Sequence, residues 1–396
     1  MNYCRMLLLH YKLQEVGLAC LISQLAWPFM YIFNTLFLHL NPKFMDLYMF
    51  IAGYFLLGLI VVITRKLFPG KDWVLYSSTV FAFTCVVDLI ISLEVNGNVS
   101  GFMTQYLKYG EPYLNSSFGF AICLFDGIVY YAMYFIMIFA IANGKKYKCV
   151  GLYWCGAIIC SSLLVEIYGF CMGGPHGPTM ASLLNTPYIV VPIIALFRFF
   201  AEEKKNPSVQ WSPNFSLSLR PRETKIVTSV LFFFTVLSMW SIVSLAYGSL
   251  GSDFWLFTWI SKATPSINFR DPEPFSQIQV LIYLFYVCPM HIIFLANCFK
   301  PQKPQFLWNL LIVQAGIALQ GQFTMIGISL YEVTTPAEYL SSPGSFAFWF
   351  SHLLILIVPH AQLYFLYKGH VDKGGENMSI LQEDEERPSN RQESSA

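Results

Sequence analysis

Long apolar stretches broken by short polar ones organise this chain. A bilayer-spanning helix needs about 20 mostly apolar residues. Runs of that kind fall at 17–38, 45–63, 74–93, 117–142, 148–172, 183–200, 226–247, 275–297, 306–330 and 345–367. Proline and small polar residues dilute the runs at 183–200 and 345–367. The first run follows Arg5 and Lys12, is long for a cleaved signal, and lacks a small-residue cleavage site. It reads as a retained signal-anchor helix. From Lys368 onward the chain is polar, with the acidic run Glu383 to Glu386. Such a segment buries too little apolar surface to fold and is expected to be disordered.

The placement of Lys and Arg tests this reading, because cytosolic connections carry an excess of both. Of the 24 Lys and Arg residues, 20 fall at the termini or in alternate connections, including Arg65, Lys66, Lys71, Lys145, Lys146, Lys148 and the group from Arg198 to Lys225. Only Lys43, Lys108, Lys262 and Arg270 lie on the other side. Missing or inventing one span destroys that alternation. The expectation is an even number of about ten spans with both termini cytosolic. Of the potential glycosylation sites, Asn98 lies in a lumenal connection and is the candidate for modification. Asn115 sits close to a span, and Asn214 and Asn377 fall on the cytosolic side.

Composition agrees. Hydrophobic residues are 56% and charged residues 12% of the chain, with a mean hydropathy of +0.53. That charge is about half the usual share for a soluble domain. A net charge of +1 does not suggest nucleic acid as a partner. The 10 cysteines form no Cys-x-x-Cys and no Cys/His cluster with zinc spacing, so neither a structural metal nor a disulfide framework is expected.

An ionisable group inside a span costs several kcal/mol and calls for an explanation. Asp88 lies deep in the third run and Asp126 in the first half of the fourth; Glu166, His291, His352 and His360 lie in later runs. Each carboxylate is either a packing device hydrogen-bonded to a neighbouring helix or part of a polar spot in a cavity. For Asp88 and Asp126 the shared cavity between the third and fourth helices is favoured. For Glu166 and the histidines, packing is. The stretch from Asn185 through Tyr188 to Pro192 adds an amide and a phenol to a helix that its prolines interrupt, which frees backbone carbonyls for a polar cavity. No nucleophile–base motif, His-Glu-x-x-His or phosphate-cradling loop occurs.

Spans three to six and seven to ten read as two copies of one four-helix unit, each with a long lumenal loop after its first helix and a short basic connection between its middle pair. The first loop holds Gly110-Glu111-Pro112-Tyr113; the second runs from Thr264 to Pro272. Internal duplication is common in membrane proteins that enclose a ligand.

Several stretches resemble the transmembrane 6 superfamily: Val80 to Leu93, Gly101 to Met103, Gly110 to Leu114, Ile122 to Gly127, Gly151 to Trp154, Ile278 to Tyr286, Gln320 to Phe323, and Pro359-His360. The resemblance covers the chain to about residue 367. It implies two tandem EXPERA domains, the four-helix unit of the emopamil-binding sterol isomerase and the sigma-two receptor. It also implies residence in the endoplasmic reticulum and a role in sterol and triglyceride handling, including lipoprotein export. Asp88 is similar to the receptor aspartate that meets a ligand amine, and Asp126 to a glutamate on the next helix of both relatives. Asn185 and Tyr188 are similar to an Asn and a Trp that precede a proline in the isomerase, here Pro192. The isomerase's His–Glu pair reads Asp88 and Ser92 here, so no catalytic residue carries over. In the second copy the family's Glu-Pro-Tyr-Leu and a nearby His are replaced, as in Thr264-Pro265-Ser266 and Thr324-Met325.

The expectation is therefore an all-α polytopic membrane protein: two helices over 1–66, EXPERA-type units over 67–202 and 226–367, a cytosolic linker over 203–225, and a tail over 368–396. Its expected function is regulation of lipid homeostasis through a sterol or other lipid held by Asp88, Asp126, Asn185 and Tyr188. The alternatives are an isomerase-like enzyme and a lipid transporter. No cofactor is expected, and lipid-metabolism or lipoprotein-assembly proteins are candidate partners. The endoplasmic-reticulum membrane is the expected location, with the ER–Golgi intermediate compartment and the lysosomal membrane as further candidates.

Overall fold

A computed structural model describes residues 14–172, 179–205, 221–252, 254–255, 275–297, 304–330 and 346–385. Among these residues, 10 helices are long and apolar enough to cross a membrane. We number them α1 (Gln14–Phe37), α2 (Met45–Leu67), α3 (Trp73–Val95), α4 (Ser117–Ala142), α5 (Lys148–Met172), α6 (Thr186–Lys205), α7 (Pro221–Ser249), α8 (Phe275–Asn297), α9 (Pro304–Leu330) and α10 (Phe346–Glu385). Helices satisfy every backbone group internally, which hydrocarbon demands. Each apolar run of the sequence therefore becomes one helix, with boundaries shifted by a few residues. The second loop from Thr264, most of the linker, Asn214 and the last residues of the tail lie outside the described residues. The backbone of α10 continues to Glu385, past the start of the polar tail at Lys368. A helix already held in the protein adds further turns at low cost, because nucleation has been met.

α1 and α2 expose rows of large apolar side chains such as Leu21, Leu36, Ile51 and Phe55, as lipid-facing helices do. α3 and α9 are the most buried spans. The closest helix pairing is α5 against α9. Gly156 and Gly316 permit it. A Cβ on Gly156 would come 2.1 Å from the Val313 carbonyl oxygen, and one on Gly316 would come 2.1 Å from that of Tyr153. Small residues allow this backbone-to-backbone approach in membrane bundles.

The basic connections gather at one end of the bundle. Lys71 pairs with Glu15 at 2.9 Å. Asp72 caps α3 by accepting from the Val74 amide. Arg198 of α6 donates to both Asp72 oxygens, at 2.5 and 2.6 Å, and Tyr147 donates to Oδ2 at 2.6 Å. Burial works to raise the Asp72 carboxyl, and the bonds from Arg198, Tyr147 and Val74 outweigh it, holding it at about 2. At the opposite end, Asn34 donates to the Gly101 carbonyl and accepts from the Gln105 amide, and Tyr54 donates to the Leu183 carbonyl. Among the described residues of α1 to α6, the contacts at the basic connections and those at the other connections thus fall into two separate sets.

Among α7 to α10 a buried network centres on His291. Gln314 and Gln362 donate to its Nδ1 at 3.1 and 3.0 Å, and its Nε2 donates to Ser238 at 3.2 Å. Gln362 also donates to Thr235. The network joins α7, α8, α9 and α10.

Candidate intramembrane binding site

Two of the spans contain π turns. α4 contains a π segment at Asp126–Tyr130, and α8 contains one at Tyr283–Val287. A π turn holds one extra residue and turns the positions after it, and such bulges concentrate at functional sites. In α4 the bulge begins at Asp126. Gly127 beside it lets α4 approach α3, where an added Cβ would lie 2.7 Å from that of Leu89.

Helices α1 to α6 and the connections between them line a cavity of about 180 Å³. Asp88 from α3, Asp126 from α4, and Asn185 and Tyr188 from the start of α6 all line it. Four residues that lie up to a hundred positions apart thus share one space. Most of the rest of the wall is apolar or aromatic, with Met30, Phe33, Phe83 and Ile122 among its members. Asp88 and Asp126 lie within electrostatic reach of each other. The Oδ1 of Asp126 is buried with no hydrogen-bond partner. Tyr188 stacks on Phe81 with ring centroids 5.0 Å apart.

A third acid completes the set, and reading the sequence did not single it out. Glu111, only 3% exposed, lines the same cavity from the connection between α3 and α4. Tyr106 donates to its Oε2 at 2.6 Å, Asn185 donates to Oε1 at 2.6 Å, and the Tyr113 hydroxyl donates to the same oxygen. Burial raises the Glu111 carboxyl above the usual range, and the three donors partly offset that. The available signal was an acid–proline pair among Tyr106, Tyr109 and Tyr113, a loop too aromatic to float free in water. Asn34, Ser161 and Ser162 also line the wall and were not anticipated.

Glu166, His291, His352 and His360 are not among the lining residues. His291 belongs to the network described above, and His360 meets the Tyr153 hydroxyl at 2.8 Å. Asn98 lies exposed in the turn after α3, where its Oδ1 accepts from Asn96.

A larger space of about 510 Å³ adjoins the first, between α2, α3 and α6 toward the basic end. Leu57, Thr84 and Tyr188 line both. Its wall is largely apolar and aromatic and reaches Arg65, Trp73 and Tyr76.

Ten apolar helices, with an acid-bearing cavity lined by α1 to α6, define a polytopic membrane protein with a polar site inside a largely apolar wall. Sequence comparison places the chain more narrowly. A family profile described as "Transmembrane 6 superfamily member 2-like, transmembrane domain" matches residues 25–210. The chain is 31% identical to mouse transmembrane 6 superfamily member 2 over 360 residues, covering 87% of this chain and 90% of the relative. It is 30% identical to the human counterpart over 365 residues, covering 88% and 92%. The chain belongs to the transmembrane 6 superfamily. No solved structure matches it.

Proposed function

We propose that this protein regulates lipid homeostasis by holding the polar group of a sterol or other lipid in the intramembrane cavity. The observation that carries this reading is the meeting of Asp88, Glu111, Asp126, Asn185 and Tyr188 in one space with an otherwise largely apolar wall. Few, well-placed polar groups in an apolar cavity orient an amphiphile and set its specificity. The carboxylates suit a hydroxyl or an amine, both of which donate hydrogen bonds. The adjoining space gives the apolar body of such a molecule somewhere to lie. On this reading the protein resides in the endoplasmic-reticulum membrane with both termini cytosolic, and acts with lipid-metabolism or lipoprotein-assembly proteins.

The test is binding of a radiolabelled sterol and of a sterol amine to the full-length protein in nanodiscs. Asp88→Asn and Asp126→Asn should each weaken binding about tenfold, the worth of one good hydrogen bond to a charged group. Unchanged affinity in both variants would refute the reading.

The free Oδ1 of Asp126 favours one second reading. A carboxyl with an unengaged oxygen facing a largely apolar cavity is placed to donate or accept a proton at a double bond. Sterol profiles of cells with and without the protein decide this. A shift in double-bond isomers that Asp126→Asn abolishes would establish catalysis, and an unaltered profile would remove it.

A further inference from the structure

Five glutamines within the later spans, Gln279, Gln314, Gln320, Gln322 and Gln362, are fully buried. Gln24 of α1 is exposed. With Gln14 and Phe37 as the ends of α1, about 15 Å of helix precede it and about 20 Å follow it. That is near the middle of a hydrocarbon core about 30 Å thick. A primary amide there is costly unless its donors and its acceptor are met. One bond is made inside the protein. Nε2 donates to the Tyr131 hydroxyl of α4 at 3.1 Å, and the same hydroxyl meets Ser23 at 3.0 Å. The second N–H and Oε1 have no partner among the described residues. Acyl chains supply neither a donor nor an acceptor.

The surface around Gln24 is laid out for another helix. Leu21, Gln24, Pro28, Tyr31 and Thr35 are all exposed, and the steps between them are 3, 4, 3 and 4 residues. Alternating steps of that kind are the seam along which two helices interlock side chains. The Thr35 hydroxyl turns back onto the Tyr31 carbonyl. Gln24 is thus the member of the seam whose side chain still asks for an outside partner. From Val16 to Leu40 there is no Lys, Arg, Asp or Glu, so two such faces meet without charge repulsion. A different face of α1 sends Met30 and Phe33 to the cavity wall, which leaves the seam outside the site already described.

The amide itself says which helix fits. It carries a free donor beside a free acceptor and is complementary to itself. A second copy of the chain, inserted in the same orientation, is related to the first by a two-fold axis along the membrane normal. That axis brings Gln24 opposite Gln24 at equal depth. Each free N–H then reaches the other Oε1. A helix of a different protein would need a matching group at that depth, which a copy has by construction.

We propose that the outer face of α1 is an interface between two copies of this protein in the bilayer, closed by a reciprocal pair of Gln24 hydrogen bonds. The proposal does not rest on what the cavity binds.

Full-length protein with one fluorophore per chain would be reconstituted in liposomes over a range of protein-to-lipid ratios, and copies counted by single-molecule photobleaching. The wild type should pass from one copy to two as density rises. Gln24→Leu should raise the density required about tenfold, the effect of two modest hydrogen bonds between helices in lipid. Tyr131→Phe removes the bond within the protein but keeps the amide, and should still pair. Thermal melts check that both variants fold. In a background without native cysteines, Leu21→Cys should form a disulfide between copies on mild oxidation, and Phe55→Cys on α2 should not. Single copies at every density, pairing that Gln24→Leu leaves unchanged, pairing lost equally in Tyr131→Phe, or cross-linking through Phe55→Cys instead of Leu21→Cys would each overturn the proposal.

Discussion

Glu111 illustrates how much one side chain carries here. Two phenols of its own connection, Tyr106 and Tyr113, and the Asn185 amide just before α6 donate to its carboxylate. Glu111→Gln replaces one acceptor oxygen with an NH₂ that faces donors. We expect a loss of about 2 kcal/mol from the unpaired groups, read as a lower melting temperature in detergent. Asp126→Asn should behave in the opposite manner. Its Oδ1 already lacks a protein partner, so stability should change by less than about 1 kcal/mol while ligand binding falls. Equal destabilisation by the two variants would contradict this division between holding the loop and meeting a ligand. The positions of Asp88 and Asp126 could be read from sequence because an acid amid Val, Leu and Ile has no cheap place in hydrocarbon. Glu111 escaped because it lies between spans, where an acid is ordinary until the loop is seen to fold inward.

The capping of α3 and the crossing of α5 with α9 are matters of packing between helices. Asp72 has a folded-state carboxyl at about 2, below its usual 3.8. A depressed carboxyl stabilises the folded protein above its unfolded value and loses that effect as acid protonates it. Its contribution, about 1 kcal/mol once solvent screening of a part-exposed pair is allowed for, should be complete above about pH 4 and vanish between about pH 4 and pH 2. Asp72→Asn should lower stability at neutral pH and flatten that acid limb, as melting temperature against pH would show. Gly156→Ala or Gly316→Ala drives a methyl into a facing carbonyl and should cost about 3 kcal/mol. Gly17→Ala, with nothing within 4 Å, is the control. The apolar runs announced each helix, but not the π segments. One extra residue in a helical turn leaves no mark on hydropathy, because its backbone is still satisfied internally.

Among the described residues, 10 helices are apolar and long enough to cross a membrane, and the Lys and Arg pattern expects the basic connections on one side. Single cysteines at Lys66 and Lys146, in a background without native cysteines, should react with an impermeant maleimide from the same side of sealed vesicles, and one at Asn98 from the other. Reaction of Lys66→Cys and Lys146→Cys from opposite sides would break the alternation of spans. If the side bearing Asn98 is lumenal, an endoglycosidase should sharpen the band of the wild type but not of Asn98→Gln.

The number of helices, their order and their alternation were written in the chain, because bare peptide groups and charges are too costly in hydrocarbon for any other arrangement. Which acids meet was settled by folding. Asp88, Glu111, Asp126 and Asn185 lie far apart along the chain and become neighbours only when α3, α4 and α6 pack, at distances set by glycine contacts and a bulged turn. Hydropathy is a property of local composition, and a cavity is a property of what several helices leave between them.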